Sequence, residues 1–321
     1  MCCGKLYYHR RTRPNPTAEE PAWGPQTPAP EVKGEVHFQV SAQDDYLNVM
    51  ESMMPRVPNF PQVSVKEGKV RGFVADLNGN PLAGAFVGVR SSAVGGYYSS
   101  ASAETDENGY YEILVPWGAT HFWSGGYTID YGTGRAALSL YPADSKLESF
   151  ESTTGKVKNF VLLSYGLADA DHRAEKPWSS GGYFGGALFL NYNIGDPDDI
   201  WAARGSLPPD AEILITLTPL ETLYGESRSF VITKKVGSTS LSLNNIPIGR
   251  YTISASLKDG RQLKLRQTGP YVSTYPHHGL KPKEATGSAE VLFTPMGVEA
   301  SSALPNYGGW RPVDIKLELP Y

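Results

Sequence analysis

The sequence predicts an all-β protein: two tandem antiparallel β-sandwiches behind an extended Pro-rich N-terminal tail, with one short helix. Three observations lead there. Apolar residues alternate at Val70, Gly72 and Val74, at Ala85, Val87 and Val89, and at Tyr111, Ile113 and Val115, the period-two spacing of strands with one buried face. Turn sequences separate these runs, Asp76-Leu-Asn-Gly-Asn-Pro81 and Thr105-Asp-Glu-Asn-Gly109, and Asn-Gly supplies the positive φ that a tight hairpin requires. A content of 34 Gly and 25 Pro in 321 residues suits a turn-rich β chain, and only one stretch carries helical spacing.

Residues 1–31 read as a tether. Prolines crowd the stretch 13–30, RPNPTAEEPAWGPQTPAP. That density prevents a helix or a sheet ladder and favours an extended, solvated chain. The two cysteines, Cys2 and Cys3, are adjacent and so cannot staple distant strands. Followed by glycine and a polar spacer, they are candidate lipidation positions, in the way that mature bacterial lipoproteins open on Cys-Gly. No apolar export segment is visible ahead of them.

A first domain is expected over 32–165. Val32–Val40 alternates as a strand, and as a protruding strand it is a candidate for adding to the open sheet edge of a neighbouring molecule. In 43–54, Tyr46, Leu47, Val49, Met50, Met53 and Met54 fall largely at i, i+3, i+4 spacing before Pro55, which predicts a short amphipathic helix. Strands follow over 68–116, and Lys156 to Leu163 reads as the closing strand.

The residues Gly68, Val70, Gly72, Val74 and Asp76, then Gly79, Pro81, Leu82, Gly84, Ala85 and Val87, then Thr105, Asp106, Gly109, Tyr111, Ile113, Val115 and Pro116 form the pattern of a known family. Over 68–163 the chain resembles the carboxypeptidase regulatory-like domain. The resemblance implies a transthyretin-like (prealbumin-like) sandwich. It specifies no activity, because such modules serve as spacers, adhesive units or sugar-binding units on extracellular proteins.

A polar, glycine-rich linker is expected over 166–186, and a second sandwich over 187–321. Its strands are Ala187–Tyr192, Ala211–Leu217, Phe230–Ile232, a run at Leu241 and Leu243, Tyr251–Leu257, Val291–Thr294 and Val313–Leu319, with insertions at 193–209 and 266–289. Leu243, Ile246, Pro247, Gly249, Tyr251, Ile253 and Ala255 resemble a second transthyretin-like motif, implying a further copy over 187–320. The phrases Trp123-Ser-Gly-Gly-Tyr and Trp178-Ser-Ser-Gly-Gly-Tyr are a faint internal echo.

Several residues invite a chemical reading. His172 and Glu175 have the His-x-x-Glu spacing of zinc carboxypeptidases, with His277 at a distance that suits a third ligand. Two small sandwiches leave no room for the α/β catalytic domain of such enzymes, so the sequence argues against this zinc site. Asp196, Asp198 and Asp199 crowd one loop and are calcium candidates, although turns favour Asp for local hydrogen bonding as well. No nucleophile elbow and no phosphate-cradling loop is present. No cofactor is expected apart from that calcium.

Trp117, Trp123, Tyr127, Tyr131, Trp178, Tyr183, Tyr307 and Trp310 are candidates for stacking on sugar rings, or for closing the sandwich ends. The net charge of −4, with both signs interspersed, provides no basic footprint for nucleic acid. No apolar run approaches the ~18 residues of a membrane span. The expected function is a non-catalytic extracellular or cell-surface structural or adhesive module, partnered by proteins, by its own copies or by polysaccharide. Carbohydrate binding is the alternative, and a zinc metallopeptidase a remote one.

Overall fold

A computed structural model describes residues 22–93, 95–196 and 203–320. Cys2, Cys3 and most of the Pro-rich tail lie outside them. Two β-sandwiches are present, and the chain order of their parts departs from the expected tandem. Strand β1 (Val32–Val40) runs parallel to Glu226–Lys235 from Val32 opposite Glu226 to Val40 opposite Lys234. Strand β2 (Tyr46–Asn48) runs parallel to Ser240–Ile246. Both N-terminal strands therefore belong to the C-terminal sandwich, at one edge of each of its sheets. The expected boundary at 32 is corrected: the first module is inserted between two parts of the second. Val32–Val40 is not a protruding strand, because the edge it could add to is supplied within its own chain.

The helix expected over 43–54 is absent. Main-chain groups of Tyr46–Asn48 are taken up by the ladder to Ser242–Asn244, and Glu51 at φ 51 leaves the helical path. Val49 and Met50 are buried, so the apolar side chains find the core through a turn.

The inserted module comprises β3 (Lys69–Ala75), β4 (Phe86–Ala93), β5 (Tyr97–Glu104), β6 (Tyr110–Leu114), β7 (Ala119–Tyr131) and β8 (Gly134–Pro142). Phe160–Leu162 closes it, antiparallel to β8 and parallel to β3. Its inward residues are the alternating ones of the sequence: Val70, Val74, Val87, Val89, Tyr111 and Ile113 are all completely buried. Both turns form as their residues demand, but neither joins the two strands of a hairpin, because β3 pairs with β6 and β4 with β5. Asp76 Oδ1 accepts from the amides of Asn78 and Asn80, at 2.8 Å each, and Gly79 has φ 79. Gly72 has a packing reason, since a Cβ there would stand 1.9 Å from the carbonyl oxygen of Lys158.

In the second sandwich, one sheet orders β1, Glu226–Lys235, Glu212–Thr222, Gly249–Leu257, Ser288–Leu292 and Gly279–Lys281. The other orders Glu284–Thr286, Lys264–Gln267, Val313–Glu318, Gly186–Asn191, Ser240–Ile246 and β2. The expected insertion at 266–289 thus contributes edge strands to both sheets. It also holds the short helix α2 (Tyr271–Thr274), which comes after α1 (Ala170–Glu175). The expected linker is partly packed interior, with Gly181, Gly182, Tyr183 and Phe184 buried. The two Trp-Ser-Gly phrases have different structures, one on β7 and the other in a 3-10 turn at Ser180–Gly182.

A single core cluster runs through both modules, from Val70 and Val87 to Ile215 and Ile253. The arm at 22–31 covers the outer face of β3. Trp23 stacks edge-on to Phe73 at 5.6 Å, and its Nε1 donates to Asn108 O at 3.0 Å.

Candidate functional site

The seam between the modules is built by the long segment Thr294–Arg311 folding back over β7 and β8. Main-chain bonds fix it there: the Gly125 amide donates to Ala303 O and the Ala137 amide to Gly297 O, both at 2.9 Å. Ser124 Oγ donates to Ser301 O at 2.6 Å and Thr128 Oγ1 to Val298 O at 3.1 Å. Gly126 is required by this approach, because a Cβ would stand 2.4 Å from Ala300 O.

Behind that segment lies an aromatic block. Tyr131, at the end of β7, has ring centroids 5.3 Å from Trp310 and 5.8 Å from His278. Trp310 lies 5.9 Å from Phe293 and donates its Nε1 to Phe184 O at 3.1 Å. Burial pulls the His278 imidazole down to about 4, and the neighbouring His277, Lys281 and Lys283 add to the effect. Both its nitrogens are buried without a partner among the described residues. A neutral ring stacked on Tyr131 is the state this environment permits.

Among the cavities between the modules are one under the arm and one at the seam. The larger, about 510 Å³, lies under the arm, between Pro28, Pro30, Met54, Leu77, Tyr165 and Tyr224. The buried Glu226 forms part of its wall, and Arg228 satisfies that carboxylate from Nε at 2.8 Å and Nη2 at 2.7 Å. The smaller, about 220 Å³, opens between β8 and the Thr294–Arg311 segment, with Ser139, Tyr307 and Arg311 among its lining residues.

Two charged groups of the inserted module are held by partners within it. Burial would raise the Glu112 carboxyl, but hydrogen bonds from Lys69, Tyr110 and Lys66 prevail and hold it at about 2. Lys158, buried at its head, donates to both Asp144 oxygens at 2.7 Å.

The aromatic candidates divide by burial. Tyr131, Tyr183 and Trp310 are core residues, at 7%, 4% and 1% exposure, and are corrected as sugar-stacking candidates because no ring face is open. Trp123, Tyr127 and Tyr307 are half-buried. Trp117 and Trp178 are open, at 69% and 52%. His172 and Glu175 lie on α1, where His172 Nε2 bonds Ser179 Oγ at 3.0 Å. His277 Nδ1 instead bonds Thr133 Oγ1 at 3.1 Å. Among the described residues no three His, Cys, Asp or Glu side chains gather as metal ligands. Asp198 and Asp199 lie outside the described residues, and the calcium expectation with them. No helix among the described residues is long and apolar enough to cross a membrane.

No protein family and no curated protein matches the chain. Among solved structures it is similar to the Bacillus anthracis TIE protein, at 13% identity and TM-score 0.27, over 79% of this chain and 34% of that one. It is also similar to a bacterial adhesin from Mobiluncus mulieris containing intramolecular disulfide, isopeptide and ester bond cross-links. There the identity is 12% and the TM-score 0.25, over 80% of this chain and 100% of that one. The chain thus spans about a third of the Bacillus anthracis protein. Superpositions this loose say nothing about function.

Ser139 and Arg311 escaped sequence reading. Ser139 sits in an ordinary alternating strand, and the only signal for Arg311 is its place beside Trp310 in a Gly-rich loop.

Proposed function

We propose that the chain is a non-catalytic structural or adhesive module of the cell surface, built to hold its shape under load. The observation that carries this reading is the parallel pairing of β1 along the edge of the second sandwich. A pull on the N-terminal side of β1 acts along the strand, so its ladder bonds are loaded together in shear. The insertion of one sandwich into the other, with a shared core, spreads that load over both.

The carboxypeptidase regulatory-like resemblance of 68–163 belongs to the same proposal. Supporting it, Gly79 and Gly109 take φ 79 and φ 71 at the turns where the motif places them. For the proposed second copy, Tyr251 OH donates to Pro247 O at 2.7 Å, closing its Pro-x-Gly-x-Tyr phrase locally. Carbohydrate binding is the second reading, favoured by Trp117 at 69% exposure.

The test is made on intact cells that produce the full chain, using a membrane-impermeant amine reagent. Lys33 and Lys235, whose side chains are 69% and 51% exposed, are expected to be labelled before lysis. Labelling only after lysis would overturn the surface reading. Pulling the purified chain from its ends is expected to give one cooperative unfolding event, and independent release of each sandwich would overturn the load-bearing reading.

A further inference from the structure

We infer that the cavity between β8 and the Thr294–Arg311 segment binds a small hydroxylated carboxylic acid of monosaccharide size, a uronic acid. Arg311 brings a cation to the cavity wall without a carboxylate partner among the described residues. Its Nη1 donates to Tyr271 OH at 2.8 Å, and the guanidinium carbon lies 4.3 Å from the centroid of the Tyr271 ring. That fixes the guanidinium and occupies one side of it. Nη2 is left over as a charge-assisted donor for a carboxylate oxygen, while Nε is buried without a partner and out of reach of the cavity.

The opposite wall has a second unmet polar group. Ser139 on β8 is 4% exposed and lines the cavity, and its hydroxyl makes no hydrogen bond to another described residue. A hydroxyl and a guanidinium nitrogen without protein partners on one cavity are what a site for a polar guest provides. Tyr307 adds a phenol to the lining. The carboxylate of the guest answers Arg311, and its hydroxyl groups answer Ser139 and Tyr307.

Size and access agree. At about 220 Å³ the cavity falls below the ~300–1,000 Å³ of drug-sized sites, which limits the guest to roughly one sugar ring. Met296 and Leu304 of the lining are 42% and 51% exposed, so the mouth opens to solvent. The site stands apart from the load-bearing reading and does not depend on it.

The test is titration of the full chain with glucuronate, glucose and acetate, followed by calorimetry and amide NMR. Glucuronate is expected to bind, with shifts at Ser139 and Arg311, and to bind more tightly than glucose or acetate. Arg311→Gln is expected to weaken glucuronate by about tenfold, as the loss of a charge-assisted hydrogen bond should. Ser139→Val, which removes the hydroxyl and narrows the cavity while leaving Arg311 in place, guards against a fold defect in the first variant and is expected to weaken binding with native amide spectra. No binding of glucuronate at millimolar concentration, equal binding of glucose or acetate, or binding unchanged in both variants overturns the inference. A trisaccharide of galacturonate that binds more tightly than the free sugar places the guest at a chain end in a glycan; equal or weaker binding places it as the free acid.

Discussion

The hydroxyl of Tyr131 donates to Gly249 O at 2.7 Å and accepts from the Phe293 amide at 3.0 Å. One side chain of the inserted module thereby satisfies two main-chain groups of the other. Tyr131→Phe keeps the ring against Trp310 and removes only the hydroxyl, leaving a buried carbonyl and a buried amide unpaired. The expected loss is about 1–3 kcal/mol. Denaturant unfolding followed by two probes, one in each module, checks it. A loss near zero would show that water or a main-chain shift replaces the hydroxyl.

The C-terminal end of β1 is held by a buried lysine. Lys234 is completely buried, and its Nζ donates to Ser41 O at 2.5 Å and Ala42 O at 3.1 Å. Burial lowers its pKa, and Asp44 and Asp45 oppose that shift. Lys234→Met removes the donor and strands the Ser41 carbonyl, while Ala42 O keeps the Ser238 amide at 2.8 Å, at a cost of about 1–3 kcal/mol. Hydrogen exchange is the direct reading: the Val32–Val40 amides are expected to exchange faster in the variant while those of β3 stay protected. Uniform exchange across the chain would mean that Lys234 stabilises the whole sandwich and has no special hold on β1.

Acid weakens the fold in two steps. The unfolded His278 takes up a proton near 6.5, the folded one only near about 4. Stability from this residue is therefore complete above about pH 6.5 and declines as pH falls toward about 4, by at most about 3 kcal/mol. Glu112 acts lower, because its carboxyl shifts from 4.5 to about 2 and its contribution disappears as pH falls through that interval. His278→Phe keeps an aromatic ring beside Tyr131 and cannot be protonated. Its urea midpoint is expected to stay flat between about pH 6.5 and 4.5, where the parent falls. Parallel profiles would place the upper step elsewhere.

The inserted module was legible because its signals are local. Alternation put Val70, Val87 and Ile113 inside, and Asp76 and Asp106 cap turns made from neighbouring residues. The same logic failed at 43–54, where Val49 and Met50 are apolar for a core that lies some two hundred residues further along the chain. Helical spacing and a buried turn look alike when the partner surface is unknown. Of the candidate site, Tyr307 was visible as an aromatic in a glycine-rich loop. The open Nη2 of Arg311 was not, since its meaning depends on Tyr271 occupying the other side and on Ser139 facing the same cavity. Adjacency across the seam leaves no mark in spacing.

The nested chain order makes the last prediction. If β1 and β2 belong to the C-terminal sandwich, a chain beginning after Met50 lacks edge strands from both of its sheets, although everything from residue 51 onward is intact. Val40, Val49 and Met50 are 6%, 1% and 0% exposed, and at roughly 1.5–3 kcal/mol for each buried side chain their loss rivals the ~5–15 kcal/mol that holds an ordinary domain together. The truncated chain is expected to unfold or aggregate, with Phe230, Ile232 and Leu243 uncovered. Adding a separate peptide spanning Val32–Met50 is expected to restore the native amide spectrum, because the missing strands need only reach the open edges. A truncated chain as stable as the parent, or a peptide that rescues nothing, would return these residues to the first module and undo the nested order.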